Sequence, residues 1–411
     1  MNQCIETAWS KVAFAALVLS CLFAPKASHA DDALPAAKPV RIGFICPFTG
    51  GSQDFGNSAR MGAELAVQEI NEVGGYLGRR FELVSRDDKA NPDEGRRIAQ
   101  ELVLQKQVDF TIGFCNSGVA LKSLDVFQEN RHLLLVPVAT GTAITAKYPP
   151  RSSYVFRTSV RDAVQVEVLV DEIVKRGFRR AAIFADTTGY GEGGLKDLQA
   201  RLAEKNVAVV HVARFKLGVE SLVDDMKAAK AARADVILSY TVGPEQAAVA
   251  RARSEVKMAA PLLGPWTMSF RSVMEKAGAA VEGAAMPQTI IQDFSHEQRT
   301  SFLARLRAFT KSREPLGSLM SAAQSYDAVH LMLSAMFQTH GNTDADALKN
   351  ALENLNHSHR GVVTTYSRPF SPNDHDAITG NMLFLGVWRQ GEIHFLYTDD
   401  AKRASLIQRK Q

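Results

Sequence analysis

The glycine-rich stretch "DTTGYGEGG" holds the residues whose spacing most resembles a known chemical site. Gly189, Gly191 and Gly194 have the G-x-G-x-x-G spacing of a turn that binds dinucleotides, and they follow an apolar run at residues 181–185. Three residues separate that run from the first glycine, whereas a dinucleotide turn begins directly at the end of the strand. The position about 20 residues further on, where an acid should bind the ribose, reads Arg214. Arginine there could bind a phosphorylated cofactor, so the spacing alone leaves the question open.

Other patterns that could support chemistry are weak. His357 and His359 have a spacing that could bind a metal, but a polar loop, "NHSHR", is the simpler interpretation. His375 lies in "SPNDHDA", where a structural turn is a simpler interpretation than contact with a ligand or a hinge. The sequence has no G-x-S-x-G nucleophile elbow and no H-E-x-x-H zinc motif. We therefore predict no catalytic residue, no metal site and no cofactor.

The first thirty residues have the pattern of an export signal. Lys11 precedes the apolar run "VAFAALVLSCLFA", and small residues follow at Ser28 and Ala30. This order is that of a secretory signal peptide, and the run is shorter than the roughly 20 apolar residues that span a bilayer. Cleavage for lipid attachment at Cys21 is a weaker alternative. We expect residues 1–30 to be removed, and an exported protein meets little nicotinamide cofactor, so we expect the glycine-rich stretch to serve another ligand.

Composition limits the class of protein. The chain has 411 residues, of which 46% are hydrophobic and 22% charged, which is typical of a folded soluble protein. This length suits two lobes better than one small core. The formal net charge is only +4, and acidic residues are interspersed among the basic ones. We therefore expect no binding to nucleic acid.

Short apolar runs alternate with amphipathic segments in two successive sets. The predicted strands of the first set span residues 40–46, 81–87, 110–113 and 133–137. Those of the second set span residues 181–185, 208–214, 236–240, 262–264 and 283–287. "NMLFLGVWRQGEIHFLY" predicts a terminal hairpin that turns at Gln390-Gly391. Strands that alternate with helices imply sheets covered on both faces, so we predict an α/β fold with two doubly wound parallel-sheet lobes.

Two cysteines remain after the predicted cleavage. Cys46 and Cys115 each end an apolar run, "VRIGFIC" and "FTIGFC". Neighbouring parallel strands would bring these ends together, and an oxidising compartment permits a disulfide. Two buried thiols are the alternative, because free cysteine is commonly buried.

At this point the sequence resembles a known family, the leucine/isoleucine/valine-type periplasmic binding proteins, which are the soluble receptors of ABC importers. The matching pieces are "RIGFICPFTGGSQDFGNSARMGAELAVQEINEVGG", "DDKANPDEGRRIAQELV", "VDFTIGFCNSGV", "VPVATGTAIT", "YVFRTSV", "DTTGYGEGG" and "GPEQAAVARARS". They occur in order along the whole mature chain, which is more specific than any single motif.

The resemblance implies two lobes joined by a three-segment hinge, which close over a small ligand. It places the crossings near Arg157-Thr158, Met286-Pro287 and Val362-Val363. The N-terminal lobe is then residues 38–157 plus 287–362, and the C-terminal lobe is residues 158–286 plus 363–411. It also implies a periplasmic monomer that binds a small-molecule carboxylate ligand and docks on the membrane permease of an ABC transporter, and it implies no enzymatic activity.

The ligand should lie beyond the carboxyl ends of the strands, where loops of both lobes meet. The loop "CNSGV" ends a strand and opens a helix, and the N–H groups of a helix amino end can hold a carboxylate. By resemblance, Ser117 binds the ligand carboxylate through its hydroxyl and N–H, and a second clamp uses the Val138 backbone and the Thr140 hydroxyl. A helix cap is the alternative role for Ser117, and a turn residue is the alternative for Thr140.

Aromatic residues complete the predicted site. Phe55 lies where the family often carries an aromatic that covers the ligand, although it could instead pack inside its own lobe. Tyr190 resembles a ligand-facing aromatic from the second lobe, and its alternative is an exposed loop tyrosine. The full set of predicted ligand-binding residues is Phe55, Cys115, Asn116, Ser117, Val138, Ala139, Thr140, Tyr190 and Trp266.

One departure from the family bears on the ligand. In the amino-acid binders an acidic residue follows "GP" and pairs with the ligand ammonium, whereas here that position is Trp266, and Val242 replaces a typical tyrosine. An indole face offers an ammonium about 2 kcal/mol at best, whereas leaving a buried charge unpaired is much more costly. Asp186 or Asp293 could compensate, but nothing in the sequence directs either of them at the cleft.

We therefore predict a ligand with a carboxylate and an aromatic or hydrophobic body, for which Phe55, Tyr190 and Trp266 make a stacking pocket. A branched-chain amino acid, or an amide or urea-like ligand, remains an alternative within the same transporter class. A sensory module that signals to a partner is a further alternative, because it would use the same two lobes.

Overall fold

The computed structural model describes residues 38–292, 297–311, 313, 315–404, 408 and 410. The predicted signal peptide and Asp293 lie outside these residues. The strands are β1 (Val40–Cys46), β2 (Phe81–Asp87), β3 (Phe110–Gly113), β4 (Leu134–Val136), β5 (Val155–Arg157), β6 (Arg180–Asp186), β7 (Ala208–Phe215), β8 (Val236–Tyr240), β9 (Leu262–Leu263), β10 (Ala285–Gln288), β11 (His359–Arg360), β12 (Thr365–Tyr366), β13 (Phe384–Arg389) and β14 (Glu392–Phe395).

The α-helices alternate with these strands. They are α1 (Gln53–Glu72), α2 (Pro92–Leu104), α3 (Ser117–Glu129), α4 (Ala143–Ala146), α5 (Asp162–Lys175), α6 (Gly189–Glu204), α7 (Val223–Ala231), α8 (Gly243–Glu255), α9 (Arg271–Ala277), α10 (Glu297–Thr310), α11 (Leu319–Gln338), α12 (Ala345–Glu353) and α13 (Thr398–Ala404). None of the helices found in the described ranges combines the length and the apolarity needed to cross a bilayer.

The first lobe is built on a five-stranded parallel sheet in the order β2-β1-β3-β4-β5. Successive residues of β1 belong to different cores, because side chains alternate across a strand. Phe44 packs in the core that includes α1 and α11, whereas Ile45 packs in the core that includes α2 and α3. Helices on both faces explain why these strands are apolar on both sides.

The second lobe is built on a seven-stranded sheet in the order β14-β13-β10-β9-β8-β6-β7. The strands from β6 to β10 are parallel, whereas β13 and β14 pair antiparallel at one edge. This pair confirms the predicted terminal hairpin. Gln390 (φ 52°) and Gly391 (φ 79°) form its turn, which requires positive φ at both residues.

The chain passes between the lobes after β5, after β10 and before β13. The third passage lies later than the sequence led us to expect. Val363 and Tyr366 still hydrogen-bond to Asp327 of α11, and the backbone at Asp376 bridges to the last residue of β5. The crossing therefore falls between Asp376 and β13, and not near Val362-Val363, where the family resemblance placed it.

A disulfide joins Cys46, the last residue of β1, to Cys115, which follows β3. These strands are parallel neighbours, so their carboxyl ends lie side by side. Of the two possibilities that the sequence left open, the structure contains the disulfide. It ties the segment that leads into α3 to the strand that leads into α1.

Candidate functional site

The predicted ligand-binding residues lie at the carboxyl ends of strands from both sheets. Those of the first lobe follow β1, β3 and β4, whereas Tyr190 follows β6 and Trp266 follows β9. All nine except Asn116 are buried. The two lobes touch here, since the Thr142 hydroxyl donates a 2.6 Å hydrogen bond to Asp197 of α6. The cleft is therefore closed in this structure.

The amino end of α3 begins at Ser117, with Asn116 in an extended conformation as its N-cap residue. The Asn116 amide donates to the Ser52 hydroxyl at 3.2 Å, and no side chain in the described part of the chain caps the helix. Ser117 Oγ accepts a 3.0 Å hydrogen bond from the Gly141 N–H, which joins this helix to the loop after β4. A helix end without a side-chain cap is suited to hold an anion through its backbone N–H groups.

The loop after β4 is held through its backbone. The Thr140 carbonyl accepts hydrogen bonds from the Asp162 N–H at 2.8 Å and from Nη1 of Arg157 at 2.9 Å. The Thr140 hydroxyl is buried near Asp162 and makes no well-formed hydrogen bond among the described residues. Val138 and Ala139 pack their side chains in the two cores of the first lobe, which leaves only their backbone for the cleft. The turn therefore does not need the Thr140 hydroxyl, which remains available to a ligand.

Phe55 of α1 lies against aromatic side chains of the second lobe. Its ring centroid is 6.3 Å from that of Trp266 and 5.1 Å from that of Phe270, and the Trp266 and Phe270 rings are 5.0 Å apart. All three residues are at most 3% exposed. These contacts reach the second lobe, so Phe55 does not pack only inside its own lobe. Sequence reasoning missed Phe270, which follows the short turn that begins at Trp266.

Each glycine of the G-x-G-x-x-G stretch lies so close to another part of the protein that a side chain would collide with it. A Cβ on Gly189 would lie 3.0 Å from the Cα of Gly118 in the opposite lobe. A Cβ on Gly191 would lie 2.1 Å from the carbonyl oxygen that ends β6, and one on Gly194 would lie 1.9 Å from the Tyr240 ring. These contacts explain the glycines without a dinucleotide, because each position excludes a side chain for a reason inside the protein.

A polar cluster that sequence reasoning missed lies beside Tyr190. Asp162 in the first turn of α5 and Tyr240 at the end of β8 are fully buried, and the Tyr190 and Tyr240 ring centroids are 5.0 Å apart. Asp162 Oδ2 and both tyrosine hydroxyls have no well-formed hydrogen bond to any residue that the structure describes. Burial raises the pKa of Asp162 to about 7, although the hydroxyls of Thr140 and Tyr240 and the charge of Arg157 act to lower it.

Asp186, which we considered as a partner for a ligand ammonium, serves the fold instead. Its Oδ1 accepts hydrogen bonds from the Thr188 N–H at 2.8 Å and from the Thr188 hydroxyl at 2.5 Å. Its Oδ2 accepts from the Thr241 hydroxyl at 2.7 Å and from the Val242 N–H at 3.3 Å. Both oxygens are therefore occupied, and the carboxylate fixes the turns that open α6 and α8.

Two histidines of the weaker motifs, His359 and His375, pack among first-lobe residues, whereas His357 is exposed. His359 stacks on His330 with centroids 5.8 Å apart, and the two ring nitrogens of His375 contact the Val155 carbonyl at 2.9 Å and Glu353 at 3.0 Å. Within the described ranges, no group of three or more His, Cys, Asp or Glu side chains is arranged to hold a metal ion.

A cavity of about 500 Å³ lies next to the aromatic contacts but outside the predicted site. Its lining includes Ser269, Gln288, Leu306 and Trp388, and it contains none of the nine predicted residues. A closed cleft leaves little open volume. For this reason the buried polar atoms and the aromatic contacts between the lobes define the candidate site, and the cavity does not.

The chain is similar to known binding proteins along most of its length. Residues 39–391 match the family model described as periplasmic binding protein. A Leu/Ile/Val-binding protein homolog from Brucella melitensis is 31% identical over 275 residues, which cover 67% of this chain and 70% of that protein.

Two solved complexes share the fold. A solute-binding protein of an ABC transporter from R. palustris, in complex with benzoate, has a TM-score of 0.76 at 20% identity and covers 87% of this chain and 95% of its own. A branched-chain amino acid transporter substrate-binding protein from Streptococcus pneumoniae, in complex with isoleucine, has a TM-score of 0.73 at 20% identity and covers 87% and 98%. With the family match over residues 39–391, the chain belongs to the periplasmic binding proteins of type I fold, as a substrate-binding protein of the Leu/Ile/Val class of ABC transporters.

Proposed function

We propose that this protein is the periplasmic receptor of an ABC importer and closes its two lobes around a small carboxylate-bearing ligand with an aromatic or hydrophobic body. The observation that carries this proposal is the contact of Phe55 with Trp266 and Phe270, which joins the lobes at the carboxyl ends of their strands. The lobes would be residues 38–157 plus 289–376 and residues 158–288 plus the chain from β13 onward, because β10 belongs to the second sheet and Asp376 pairs with β5. Export would depend on a signal peptide at residues 1–30.

The carboxylate would bind at the first lobe. The amino end of α3 supplies backbone N–H groups and the favourable end of the helix dipole, and Ser117 and Thr140 supply hydroxyl groups. Ser117 Oγ already accepts a hydrogen bond from Gly141, so its own hydrogen is free to be donated to the ligand. Hydrogen bonds to a charged oxygen are roughly twice as strong as those between neutral groups.

The body of the ligand would lie against the aromatic contacts. Phe55 comes from the first lobe, and Trp266 and Phe270 come from the second. A flat apolar ligand packed against these rings gains both apolar burial and favourable ring geometry. Contacts from both lobes exist only in the closed form, so a ligand that makes them shifts the population towards closure.

One observation favours an amino acid as the second candidate. Asp162 places in the cleft a carboxyl group whose Oδ2 lacks a partner among the described residues, and an ammonium could pair with it. Its pKa near 7, raised by burial, weakens this candidate, because a partly neutral acid is a poor partner for an ammonium. Asp186 is fully hydrogen-bonded, and Trp266 stands where the amino-acid binders carry an acid. We therefore rank the amino acid second.

We also propose that binding proceeds without turnover, as in the binding proteins to which the chain is similar. A sensory role would use the same closure, and a neighbouring gene for a permease or for a kinase would distinguish transport from sensing. The membrane permease remains the proposed partner, and a monomer is the proposed state.

Identification of the bound molecule tests the ligand class. Mass spectrometry of the ligand released from purified protein should show an acid with an aromatic or hydrophobic body. A thermal-shift panel should give larger increases in melting temperature with aromatic acids than with leucine or valine. A larger increase with leucine than with every aromatic acid would reverse the ranking of the two candidates.

Substitutions test the carboxylate clamp. Ser117→Ala and Thr140→Ala should each weaken acid binding about tenfold, because each removes one hydrogen bond to a charged group. Thr140→Ala should leave the melting temperature of the unliganded protein nearly unchanged, whereas Ser117→Ala should lower it, because it also removes the acceptor of the buried Gly141 N–H. Ser123→Ala is the matched control, since it removes a buried hydroxyl of α3 that bonds to the Val119 carbonyl of its own helix. Unchanged affinity in both clamp variants would remove the clamp from the proposal.

A further inference from the structure

Several polar side-chain atoms of the closed cleft are buried and make no well-formed hydrogen bond in the part of the chain that the structure describes. They include Asn116 Oδ1, Thr140 Oγ1, Asp162 Oδ2, the Tyr190 and Tyr240 hydroxyls and Trp266 Nε1. Protein interiors pair the great majority of buried polar groups, and an unpaired group raises the free energy of the folded state. A ligand that binds where the two lobes meet could supply hydrogen-bond partners for these atoms.

Three members of this set lie close together. The Tyr190 and Tyr240 ring centroids are 5.0 Å apart, and the Tyr240 hydroxyl is near enough to Asp162 to affect its ionisation. Their positions are fixed by neighbours, because Tyr240 packs directly on Gly194 and Asp162 Oδ1 accepts a 3.1 Å hydrogen bond from Gln165. The second oxygen of Asp162 makes no well-formed hydrogen bond in the described ranges, although the Thr140 and Tyr240 hydroxyls lie near this carboxyl group.

Gln165 also links Asp162 to the turn that carries Trp266. Its Oε1 accepts a 3.0 Å hydrogen bond from the backbone N–H of Trp266, while its side-chain amide donates to Asp162. One side chain therefore joins the acid to the backbone of the residue that carries the indole.

The chemistry of these atoms selects a functional group. Asp162 accepts hydrogen bonds in either protonation state and also donates one while it holds its proton, an indole N–H only donates them, and a tyrosine hydroxyl does both. An ammonium can only donate, and the ligand carboxylate is already assigned to Ser117 and Thr140. A hydroxyl can both donate and accept, so it can pair with Asp162 in either protonation state and with a tyrosine at the same time.

We propose that Asp162, Tyr190 and Tyr240 form a hydrogen-bonding subsite for a hydroxyl group of the ligand, and that the ligand class is the hydroxylated aromatic acids. This inference rests on the proposed function, because the ligand carboxylate is already assigned to Ser117 and Thr140. Asp162 and Tyr240 then determine specificity, since they separate hydroxylated acids from acids that lack the hydroxyl.

Isothermal titration calorimetry with two matched pairs of acids tests the subsite. The pairs are benzoate with 4-hydroxybenzoate, and cinnamate with 4-hydroxycinnamate. In at least one pair the protein should bind the hydroxylated member about tenfold more tightly. Tyr240→Phe and Asp162→Asn should each reduce that preference below about threefold. Tyr397→Phe should keep the full preference, because its hydroxyl bonds to Glu172 elsewhere in the second lobe.

The outcomes separate this subsite from the proposed function. Equal or weaker binding of the hydroxylated members, or a preference that survives both substitutions, overturns the subsite, while acid binding would still support the proposed function. Binding of leucine with no binding of any aromatic acid would overturn both. Tighter binding of phenylalanine than of either pair would assign the subsite to an ammonium and overturn the hydroxyl. Tyr190→Phe provides a third variant if one of the others fails to fold.

Discussion

The hinge and the cleft bury polar side chains to a similar degree, but these side chains differ in their hydrogen bonds. The hinge cluster consists of Thr145, Arg157 and Asp376. Arg157 is fully buried, and its Nε donates to Asp376 Oδ1 at 2.6 Å while its Nη2 donates to Thr145 at 2.9 Å. Both carboxylate oxygens of Asp376 also accept from the Thr145 hydroxyl at 3.0 Å. Every polar side-chain atom of this cluster has a partner inside the protein.

The cleft cluster consists of Thr140, Asp162, Tyr190, Tyr240 and Trp266, whose unpartnered atoms were described above. The two acids show the difference most clearly. Burial raises the pKa of both, but the charges of Arg157 and Arg161 overcome this effect at Asp376 and lower its pKa, whereas Asp162 stays near 7. A cluster whose polar atoms all have hydrogen-bond partners inside the protein indicates a structural role, and a cluster that lacks some of these partners indicates a ligand-binding site.

The two clusters are also connected. Nη1 of Arg157 donates hydrogen bonds to the carbonyls of Thr140 and Gly141 at 2.9 and 2.8 Å. The same arginine therefore ties the first crossing of the hinge to the loop that we assign to the ligand carboxylate. A change in the hinge should reach the cleft through this arginine, although it contributes no side-chain atom to the proposed ligand contacts.

Asp376→Asn should cause the largest loss of stability. The change leaves the buried Arg157 and the nearby Arg161 without their carboxylate, and removal of one partner of a buried ion pair typically costs about 3–5 kcal/mol. The free energy of unfolding from urea denaturation should fall by about 3 kcal/mol. Asp224→Asn, at an acid whose side chain is 96% exposed beside Lys227, should change it by less than about 0.5 kcal/mol. Similar free energies of unfolding for the two variants would show that the hinge cluster does not stabilise the segments that cross between the lobes.

Stability should depend on pH with opposite sign at the two acids. Asp162 keeps its proton in the folded state up to a pH of about 7, but loses it near 3.8 when unfolded. Its contribution to stability is therefore full at low pH and falls as the pH rises through this window, by at most about 1.4 kcal/mol per unit. Asp376 has a lowered pKa, so its contribution is present above about pH 4 and is lost as the pH falls.

Urea denaturation of the unliganded wild type and of Asp162→Asn between about pH 4 and pH 7 measures the first effect. The advantage of the wild type over the variant should shrink as the pH rises. The comparison between wild type and variant is needed because burial also raises the pKa of Asp88 and Asp327 to about 7. These two residues contribute equally to the pH dependence of stability in both proteins. If the free energies of unfolding of the two proteins changed in parallel with pH, the carboxyl group of Asp162 would already have its partners inside the protein, as Asp376 has in the hinge.

The sequence predicted the loops of the site better than it predicted the polar cluster. Ser117 begins a helix at the end of a strand, as the order "CNSGV" indicated, because the switch from an apolar run to helical spacing marks that boundary. Asp162 also lies in the first turn of a helix, but acids there are commonly exposed and simply complement the helix dipole. Only the fold shows that this turn is buried under the Thr140 loop.

Tyr240 could have been found from its position. It is the last residue of a predicted strand, and carboxyl ends of parallel strands face the ligand. The face of the sheet on which its ring lies depends on the register of β8 with β6, in which Tyr240 pairs with Ala185. A single sequence does not show this register. The family resemblance placed the third crossing too early, because it does not show that Val363 and Tyr366 hydrogen-bond to Asp327 of the first lobe.

Gly189→Ala should produce the smallest of these effects and should act on closure alone. A Cβ at this position would lie 3.0 Å from the Cα of Gly118, which is closer than carbon atoms normally approach, so the lobes would have to stay slightly apart. Affinity for the ligand should fall by about three- to fivefold, while the stability of the unliganded protein stays nearly unchanged, because the contact exists only in the closed form. Calorimetric titration measures the affinity.

Gly118→Ala is the matched control from the opposite lobe. A Cβ there would lie 3.5 Å from the nearest atom of Gly189, which is an ordinary van der Waals distance, so this variant should close and bind like the wild type. The asymmetry between two neighbouring glycines is the informative result, because a general effect on helix propensity would change both variants alike. Equal affinities for both variants would mean that ligand binding does not require the approach of α3 and α6, and the cleft would then be looser than the hinge beside it.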